Sequence, residues 1–68
     1  MRIRDLREDS DLTQQEVADF LHVKQNTYSQ YETGRHQIPI DILIQLARYY
    51  HTSVDYLQGL TDQRKPYR

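Results

Sequence analysis

Residues 13–35 of this 68-residue chain have the sequence TQQEVADFLHVKQNTYSQYETGR, and this stretch decides the fold. It begins with Thr13, and Glu16 follows three residues later. In this capping-box pattern, each of the two side chains accepts a hydrogen bond from an otherwise unpaired N–H group at the start of a helix. The next apolar residues have helical spacing and predict one buried stripe: Val17, Ala18, Phe20 and Leu21. The pattern therefore predicts a helix that ends near residue 21.

A second helix is predicted after a connection of only three residues, His22 to Lys24. Tyr28 and Tyr31 fall on one side of its helical wheel, and Gly34 stands where a left-handed residue commonly ends a helix. The opposite side is a polar strip of amides and hydroxyls: Gln25, Asn26, Ser29, Gln30 and Thr33. Two short helices with so short a connection form a helix-turn-helix pattern.

The rest of the chain predicts three more short helices and no strand. Ile3 and Leu6 indicate a helix before Ser10, Pro39 suits the first turn of a fourth helix, and Ser53 is expected to cap a fifth. We expect one apolar face on the fourth helix: Ile40, Leu43, Ile44, Leu46, Ala47 and Tyr50. The last four helices are expected to end at residues that tolerate positive φ: His22, Gly34, His51 and Gly59.

Length and composition restrict the classes of function. A chain of 68 residues forms one small domain with little room for a deep catalytic pocket. It has no cysteine, which excludes disulfides and thiol catalysis, and no apolar run approaches the roughly 18 residues of a membrane span. Motifs for a nucleophile elbow, a phosphate loop or a metal cluster are absent. We therefore expect a cytoplasmic protein that is not an enzyme, has no cofactor and uses His22 and His51 as helix ends rather than as metal ligands.

The net charge is −1, from 9 Lys and Arg against 10 Asp and Glu, and by itself this argues against a nucleic-acid partner. Net charge averages over all faces of a protein, however, and a ligand meets only the local field. Lys24 and Arg35 against Glu32 give residues 22–37 a charge of +1. The two cations stand near the two ends of the polar strip.

The polar strip has the composition of a surface that contacts DNA bases. Amides of Gln and Asn can pair with N6 and N7 of adenine, and Ser or Thr can reach several base edges. A merely solvated helix face is richer in Lys and Glu. Gln14 and Gln15 lie in the first turn of the preceding helix, where free N–H groups attract phosphate. The alternative is a polar surface helix that contacts no DNA.

The combined motifs resemble the helix-turn-helix family of phage repressors and Cro proteins. The resemblance covers about residues 2–60 and is carried by the following segments: 13–18 (TQQEVA), 23–30, 31–35 (YETGR), 43–47 (LIQLA) and 52–57 (TSVDYL). It implies a compact all-α bundle of five short helices, the fold of lambda-repressor-like DNA-binding domains. In such a bundle the helix around residues 25–32 enters the major groove.

The resemblance also implies roles for single residues. Gln25, Asn26 and Gln30 match base-contacting positions, with Thr27 and Ser29 as helpers. Gln14 and Arg35 match phosphate-contacting or flanking positions. Together with the residues chosen for their own chemistry, the candidates for phosphate contact are the following: Gln14, Gln15, Lys24, Arg35, Tyr28 and Arg7. Arg7 and Glu32 match an ion pair of some relatives, the alternative for Arg7 being a plain surface cation. Lys24 stands where relatives often have a capping Ser or Thr, so we expect no side-chain cap there. At least one hydroxyl of Tyr28 and Tyr31 is expected to reach a polar partner or the phosphate backbone.

Such modules usually bind DNA in pairs. A second apolar feature is a candidate dimer patch or, alternatively, part of a wide core face: Ile42, Tyr49, Tyr56 and Leu60. Residues 62–68 are expected to form a flexible basic tail behind a domain of residues 1–61. The predicted function is a sequence-specific repressor of transcription that binds a palindromic operator in double-stranded DNA as a homodimer. Two alternatives stay open: an antitoxin or restriction-system controller that also binds a partner protein, and a protein-interaction module without DNA binding.

Overall fold

A computed structural model describes residues 1–64, which contain five α-helices and no strand. The helices are α1 (Ile3–Asp9), α2 (Gln14–Leu21), α3 (Gln25–Thr33), α4 (Ile40–Tyr49) and α5 (Val54–Leu57). The predicted all-α fold of five short helices is confirmed, with α2 and α3 as the helix-turn-helix. Most of the predicted tail, residues 65–68, lies outside the described residues. No helix within residues 1–64 is long and apolar enough to cross a membrane.

The helix starts follow from local side-chain chemistry. The Thr13 hydroxyl accepts a hydrogen bond from the Glu16 N–H at 3.1 Å, and the Glu16 carboxylate accepts one from the Thr13 N–H at 2.8 Å. Ser53 caps α5 through the N–H of Tyr56. The side chain of Lys24 makes no capping hydrogen bond at the start of α3 within the described part of the chain, as expected.

The helix ends confirm the predicted left-handed residues. φ is +60° at His22, +82° at Gly34, +54° at His51 and +79° at Gly59. Asp11, between α1 and α2, also has a positive φ of +57°, which was not predicted. Asp and His are among the non-glycine residues that are enriched in this region of backbone conformation. The sharp turns between helices are therefore encoded locally.

All five helices and the segment before α4 contribute to one hydrophobic core. Its buried side chains are Ile3, Leu6, Val17, Ala18, Leu21, Tyr28, Tyr31, Ile38, Ile42, Leu43, Leu46, Ala47, Tyr50 and Leu57. The core holds α3 by its two tyrosines, so the opposite face of that helix is turned outward.

The buried face of α4 differs from the predicted apolar face by a rotation about the helix axis. Ile40 and Ile44 are 63% and 40% exposed, whereas Ile42 is 7% exposed and belongs to the core. Ile42, expected in a dimer patch, is therefore not available to a second copy. The buried residues of α4 and its C-cap are spaced as one helical stripe: Ile42, Leu43, Leu46, Ala47 and Tyr50. Pro39 precedes the helix as its N-cap rather than standing in its first turn.

Phe20 is a second departure from the predicted core. Its side chain is 42% exposed and lies against Tyr49, with ring centroids 4.3 Å apart. The expected stripe of α2 is therefore reduced to Val17, Ala18 and Leu21. Contact between Phe20 and Tyr49 covers part of each ring, which explains how a large aromatic side chain is tolerated at the surface.

Arg2 connects the two ends of the described chain. Its N–H donates to the Leu57 carbonyl at 2.8 Å, and its guanidinium donates to the Thr61 carbonyl at 3.1 Å and to Asp62 at 2.7 Å. The same guanidinium lies 4.2 Å from the centre of the Tyr56 ring, a cation–π contact. Tyr56, another dimer candidate, is thus partly covered by Arg2.

Candidate nucleic-acid interface

The polar strip lies on the surface of α3. Gln25, Asn26 and Thr33 are exposed, and Ser29 and Gln30 are half-buried. Four of the five strip residues, without Gln25, line a shallow depression of about 310 Å³ together with Arg35. The structure therefore brings most of the strip and one predicted phosphate-binding cation onto one surface.

The opposite face of α3 is buried, and this corrects the role expected for Tyr28. Tyr28 is fully buried and Tyr31 is 8% exposed. Tyr28 cannot contact a phosphate, because its ring fills the space between α3 and the core. Its hydroxyl has no hydrogen-bond partner among the described residues, although burial and the nearby Glu32 carboxylate raise its pKa. The hydroxyl of Tyr50 is also buried without a partner in residues 1–64, and burial raises the pKa of Tyr50 to about 12.

An ion pair joins α1 to the last turn of α3. The Arg7 Nε donates to Glu32 at 2.7 Å, its Nη2 donates to the same carboxylate at 3.2 Å, and its Nη1 donates to the Leu12 carbonyl at 2.9 Å. The two side chains are 13% and 3% exposed. The implied pair is present, and Arg7 is not a plain surface cation. These bonds use three of the five N–H donors of the guanidinium, and contact of Arg7 with a phosphate stays a prediction.

The charge on Glu32 is stabilised by its neighbours. Burial alone raises the pKa of this carboxyl group, but the hydrogen bonds from Arg7 and Gln14 outweigh burial and hold the pKa below its ordinary value. In return, the hydrogen bond to Glu32 raises the pKa of Arg7. The site therefore contains a buried carboxylate that is ionised near neutral pH.

Two glutamines extend this ion pair to the polar strip. The Gln14 Nε2 donates to Glu32 at 3.0 Å, and the Gln25 Nε2 donates to the Gln14 Oε1 at 3.0 Å. Gln14, expected at a phosphate, has its side-chain amide between two protein partners. The link between Gln14 and Gln25 was not predicted, because the two residues lie on different helices and their sequence separation does not set the distance between them. The helix-turn-helix geometry creates it by placing the start of α2 beside the start of α3.

The remaining candidates for phosphate contact lie at the edges of the polar strip. Lys24 and Arg35 are exposed and stand immediately before and shortly after α3. Gln15 is exposed in the first turn of α2 and donates to Asp19 at 2.7 Å, a bond within the same helix. Thr27 is half-buried on α3. The surface thus presents uncharged hydrogen-bonding groups in its middle and cations at its margins.

The other dimer candidates are distributed over the C-terminal half of the fold. Tyr49 is half-buried against Phe20, and Tyr56 is half-buried beneath Arg2. Leu60 is 72% exposed. Of the four candidates, Leu60 has the largest exposed fraction, and Tyr49 and Tyr56 retain partial exposure.

Comparison with known proteins identifies the family. Residues 3–57 match the helix-turn-helix family. The chain is 40% identical over 65 residues to the uncharacterized HTH-type transcriptional regulator YobD of Bacillus subtilis (strain 168). The aligned residues cover 96% of this chain and 58% of that protein. It is 43% identical over 49 residues to the cryptic phage CTXphi transcriptional repressor RstR of Vibrio cholerae. This alignment covers 72% of this chain and 44% of that protein.

A third relative is the HTH-type transcriptional regulator ImmR of Bacillus subtilis (strain 168), 33% identical over 64 residues, or 94% of this chain and 50% of that protein. The chain spans about half the length of these relatives. No solved structure matches it significantly. The family match extends from α1 to the end of α5 and includes every residue of the polar strip. The chain therefore belongs to the helix-turn-helix family.

Proposed function

We propose that this protein is a sequence-specific DNA-binding regulator of transcription that inserts α3 into the major groove. The observation that carries the proposal is the polar strip, which is turned outward because Tyr28 and Tyr31 anchor the other side of α3 in the core. Uncharged amides and hydroxyls both donate and accept hydrogen bonds, so they can distinguish base edges. The names of the three relatives, all transcriptional regulators or repressors, support the same function.

The contacts divide into two classes. Gln25, Asn26 and Gln30 bind base edges, with Thr27 and Ser29 as helpers on the same helix. A second group binds phosphates at the margins: Gln15, Lys24 and Arg35. Contacts to phosphates fix the position of a protein on the duplex, and contacts to bases select the sequence. No catalytic step belongs to this function, and we propose the cytoplasm as its location.

Two copies bind one palindromic operator and repress transcription by occupying it. An α-helix of nine residues is about 14 Å long and reaches only a few base pairs, so a single copy selects a short sequence. The Cα atoms extend 31 Å along the longest axis of the fold, close to the roughly 34 Å of one helical turn of DNA. With these axes along the DNA, two copies side by side would place their α3 helices in successive major grooves. Leu60, with Tyr49 and Tyr56, is the candidate surface between them.

Selection of binding sites from random DNA tests this function. We expect the selected pool to contain a palindrome whose half-sites are centred about one helical turn apart. A shared half-site without a palindrome would contradict the pairing of two copies. A pool without any shared sequence would contradict the function itself.

A further inference from the structure

Two tyrosine hydroxyls in the core have no hydrogen-bond partner among residues 1–64: that of Tyr28 on α3 and that of Tyr50 at the end of α4. Both hydroxyl oxygens are buried, and both rings belong to the hydrophobic core. A hydroxyl that leaves water without finding a partner costs free energy, and the large majority of buried polar side-chain atoms are paired for this reason. Each of the two hydroxyls therefore needs a partner within the core.

The carboxylate of Glu32 has an acceptor position for such a partner. Its Oε1 accepts from the Arg7 Nη2 and the Gln14 Nε2, whereas its Oε2 accepts only from the Arg7 Nε. An ionised carboxylate can accept about two hydrogen bonds on each oxygen, so one position on Oε2 is unused within residues 1–64. Glu32 follows Tyr28 by four residues on α3, and side chains at this spacing are neighbours on one face of a helix. The side chain of Glu32 is expected to lean toward the turn that contains Tyr28, because helical side chains point toward the N-terminus.

Electrostatic coupling supports the proximity of these groups. Burial raises the pKa of Tyr28, and the Glu32 carboxylate raises it further. Burial also raises the pKa of Glu32, whereas Arg7 and the Tyr28 hydroxyl lower it. Tyr50 contributes to the raised pKa of Tyr28 as well. The two hydroxyls and the carboxylate therefore share one small buried region.

We propose that Tyr28 is a positioning residue of the candidate interface, whose hydroxyl turns onto the unused position of Glu32 Oε2 and donates a hydrogen bond to it. The oxygen of Tyr28 then accepts a hydrogen bond from the hydroxyl of Tyr50. This chain of bonds holds α3 from two sides, through Arg7 of α1 and through Tyr50 at the end of α4. The positioning role rests on the proposed function, in which α3 is the helix that contacts the bases.

Tyr28→Phe tests the proposal, because phenylalanine fills the same space in the core and removes only the hydroxyl. The loss of a hydrogen bond to the carboxylate is expected to raise the pKa of Glu32 by about 1, which NMR of the side-chain carboxyl carbon measures. The melting temperature is expected to fall by about 5–10 °C. A hydroxyl without a partner predicts the opposite sign, because its removal relieves an unpaired buried group. An unchanged pKa of Glu32 or a higher melting temperature would therefore overturn the proposal.

Tyr31→Phe is the matched control on the same helix. Tyr31 also belongs to the core, but it directly precedes Glu32, and adjacent residues of a helix do not face each other. The pKa of Glu32 is expected to be the same in this variant as in the unaltered protein. A rise equal to that of Tyr28→Phe would mean that the pKa reports a general loosening of the core.

Tyr50→Phe tests the second bond of the chain. Alone, this variant is expected to have a lower melting temperature than the unaltered protein. In a Tyr28→Phe background the same change is expected to cause no further loss, because the Tyr50 hydroxyl has already lost its acceptor. Equal losses in the two backgrounds would contradict the bond between the two tyrosines.

Binding to the selected operator tests the positioning role. At a temperature where circular dichroism shows a folded protein, we expect Tyr28→Phe to weaken operator binding about two- to tenfold, although Tyr28 is buried. Tyr31→Phe is expected to bind as the unaltered protein does. If Tyr28→Phe raises the pKa of Glu32 but leaves operator affinity unchanged, the bond exists and the positioning role is wrong. If the unaltered protein selects no operator, the proposed function and the positioning role fail together, whereas the pKa of Glu32 still decides whether Tyr28 donates to it.

Discussion

Glu32 is a buried carboxylate that accepts hydrogen bonds from Arg7 of α1 and from Gln14 of α2. Its side chain is 3% exposed, and a charge at that depth is tolerated because Arg7 donates two hydrogen bonds to it. A buried ion pair adds little to stability by itself, but the loss of one partner leaves an unpaired charge in the interior. The last turn of α3 is therefore sensitive to substitutions in α1, which is distant in sequence.

Arg7→Met is expected to lower the free energy of unfolding by about 3–5 kcal/mol, because it leaves the Glu32 carboxylate buried and without its cation. The double variant Arg7→Met with Glu32→Leu is expected to recover most of this loss, since an apolar pair leaves no buried charge. Urea denaturation followed by circular dichroism measures both. A loss below about 1 kcal/mol in the single variant would mean that the pair is solvated, as surface pairs are.

The same carboxylate gives stability a dependence on pH. Burial raises the pKa of Glu32, but the hydrogen bonds from Arg7 and Gln14 lower it by a larger amount, so the pKa lies below its ordinary value of 4.5. The unfolded chain therefore takes up the proton first as the pH falls, and the stabilisation present above pH 4.5 is lost through the folded pKa. We expect the decline of unfolding free energy in acid to be smaller in Glu32→Gln. Glu8→Gln, which removes a carboxylate of an exposed pair with Arg4, is the control variant.

At the scale of helices, α4 shows that an apolar run does not define its own buried face. Six of the eight residues from Ile40 to Ala47 are apolar, so a helical wheel offers two adjacent faces of similar hydrophobicity. The packing of α4 in the bundle selects the face with Ile42 and turns Ile40 outward. A hydrophobic side chain in the interior loses more free energy on truncation than the same side chain at the surface.

Ile42→Ala is accordingly expected to lower the free energy of unfolding by about 2–4 kcal/mol. Ile40→Ala makes the same change of side chain on the same helix, and its effect is expected to stay within about 0.5 kcal/mol. Thermal or urea denaturation compares the two variants. Equal effects would contradict the burial of Ile42 and the exposure of Ile40.

The contrast between α2 and α4 shows what sequence can predict. The capping box of Thr13 and Glu16 and the left-handed ends at His22 and His51 depend on neighbours within a few residues, so they were predictable. The phase of α4 depends on the other helices, and sequence spacing did not predict it. In the candidate site, the surface position of the polar strip follows from the period of α3. The bond between Gln14 and Gln25 follows from the tertiary arrangement of two helices and has no signal in a single sequence.

For the molecule as a whole, a net charge of −1 limits how strongly it can bind DNA without regard to sequence. Each phosphate contact releases counterions and makes binding depend on salt. The proposed interface has few cations, with Lys24 and Arg35 at its margins. Most of the affinity should therefore come from base contacts and from pairing of two copies.

Arg35→Ala is expected to weaken binding to the selected operator and to random DNA alike, and to reduce the slope of log affinity against log salt by about 1. Gln30→Ala is expected to cost about 1–3 kcal/mol on the operator and little on random DNA, with the slope unchanged. Titrations at several salt concentrations distinguish the two. If both variants behave alike on both DNAs, the assignment of Arg35 and Gln30 to different contacts is wrong.

The contacts of Arg2 with Leu57, Thr61 and Asp62 bring residues near the two ends of the described chain side by side. A short glycine-rich linker can therefore join residue 2 to residue 62, and the chain can be opened between the exposed residues His36 and Gln37, which lie between α3 and α4. We expect this circular permutant, in which α4 and α5 precede α1, to fold and to select the same operator. The DNA-binding surface would then depend on how the helices pack and not on their order along the chain.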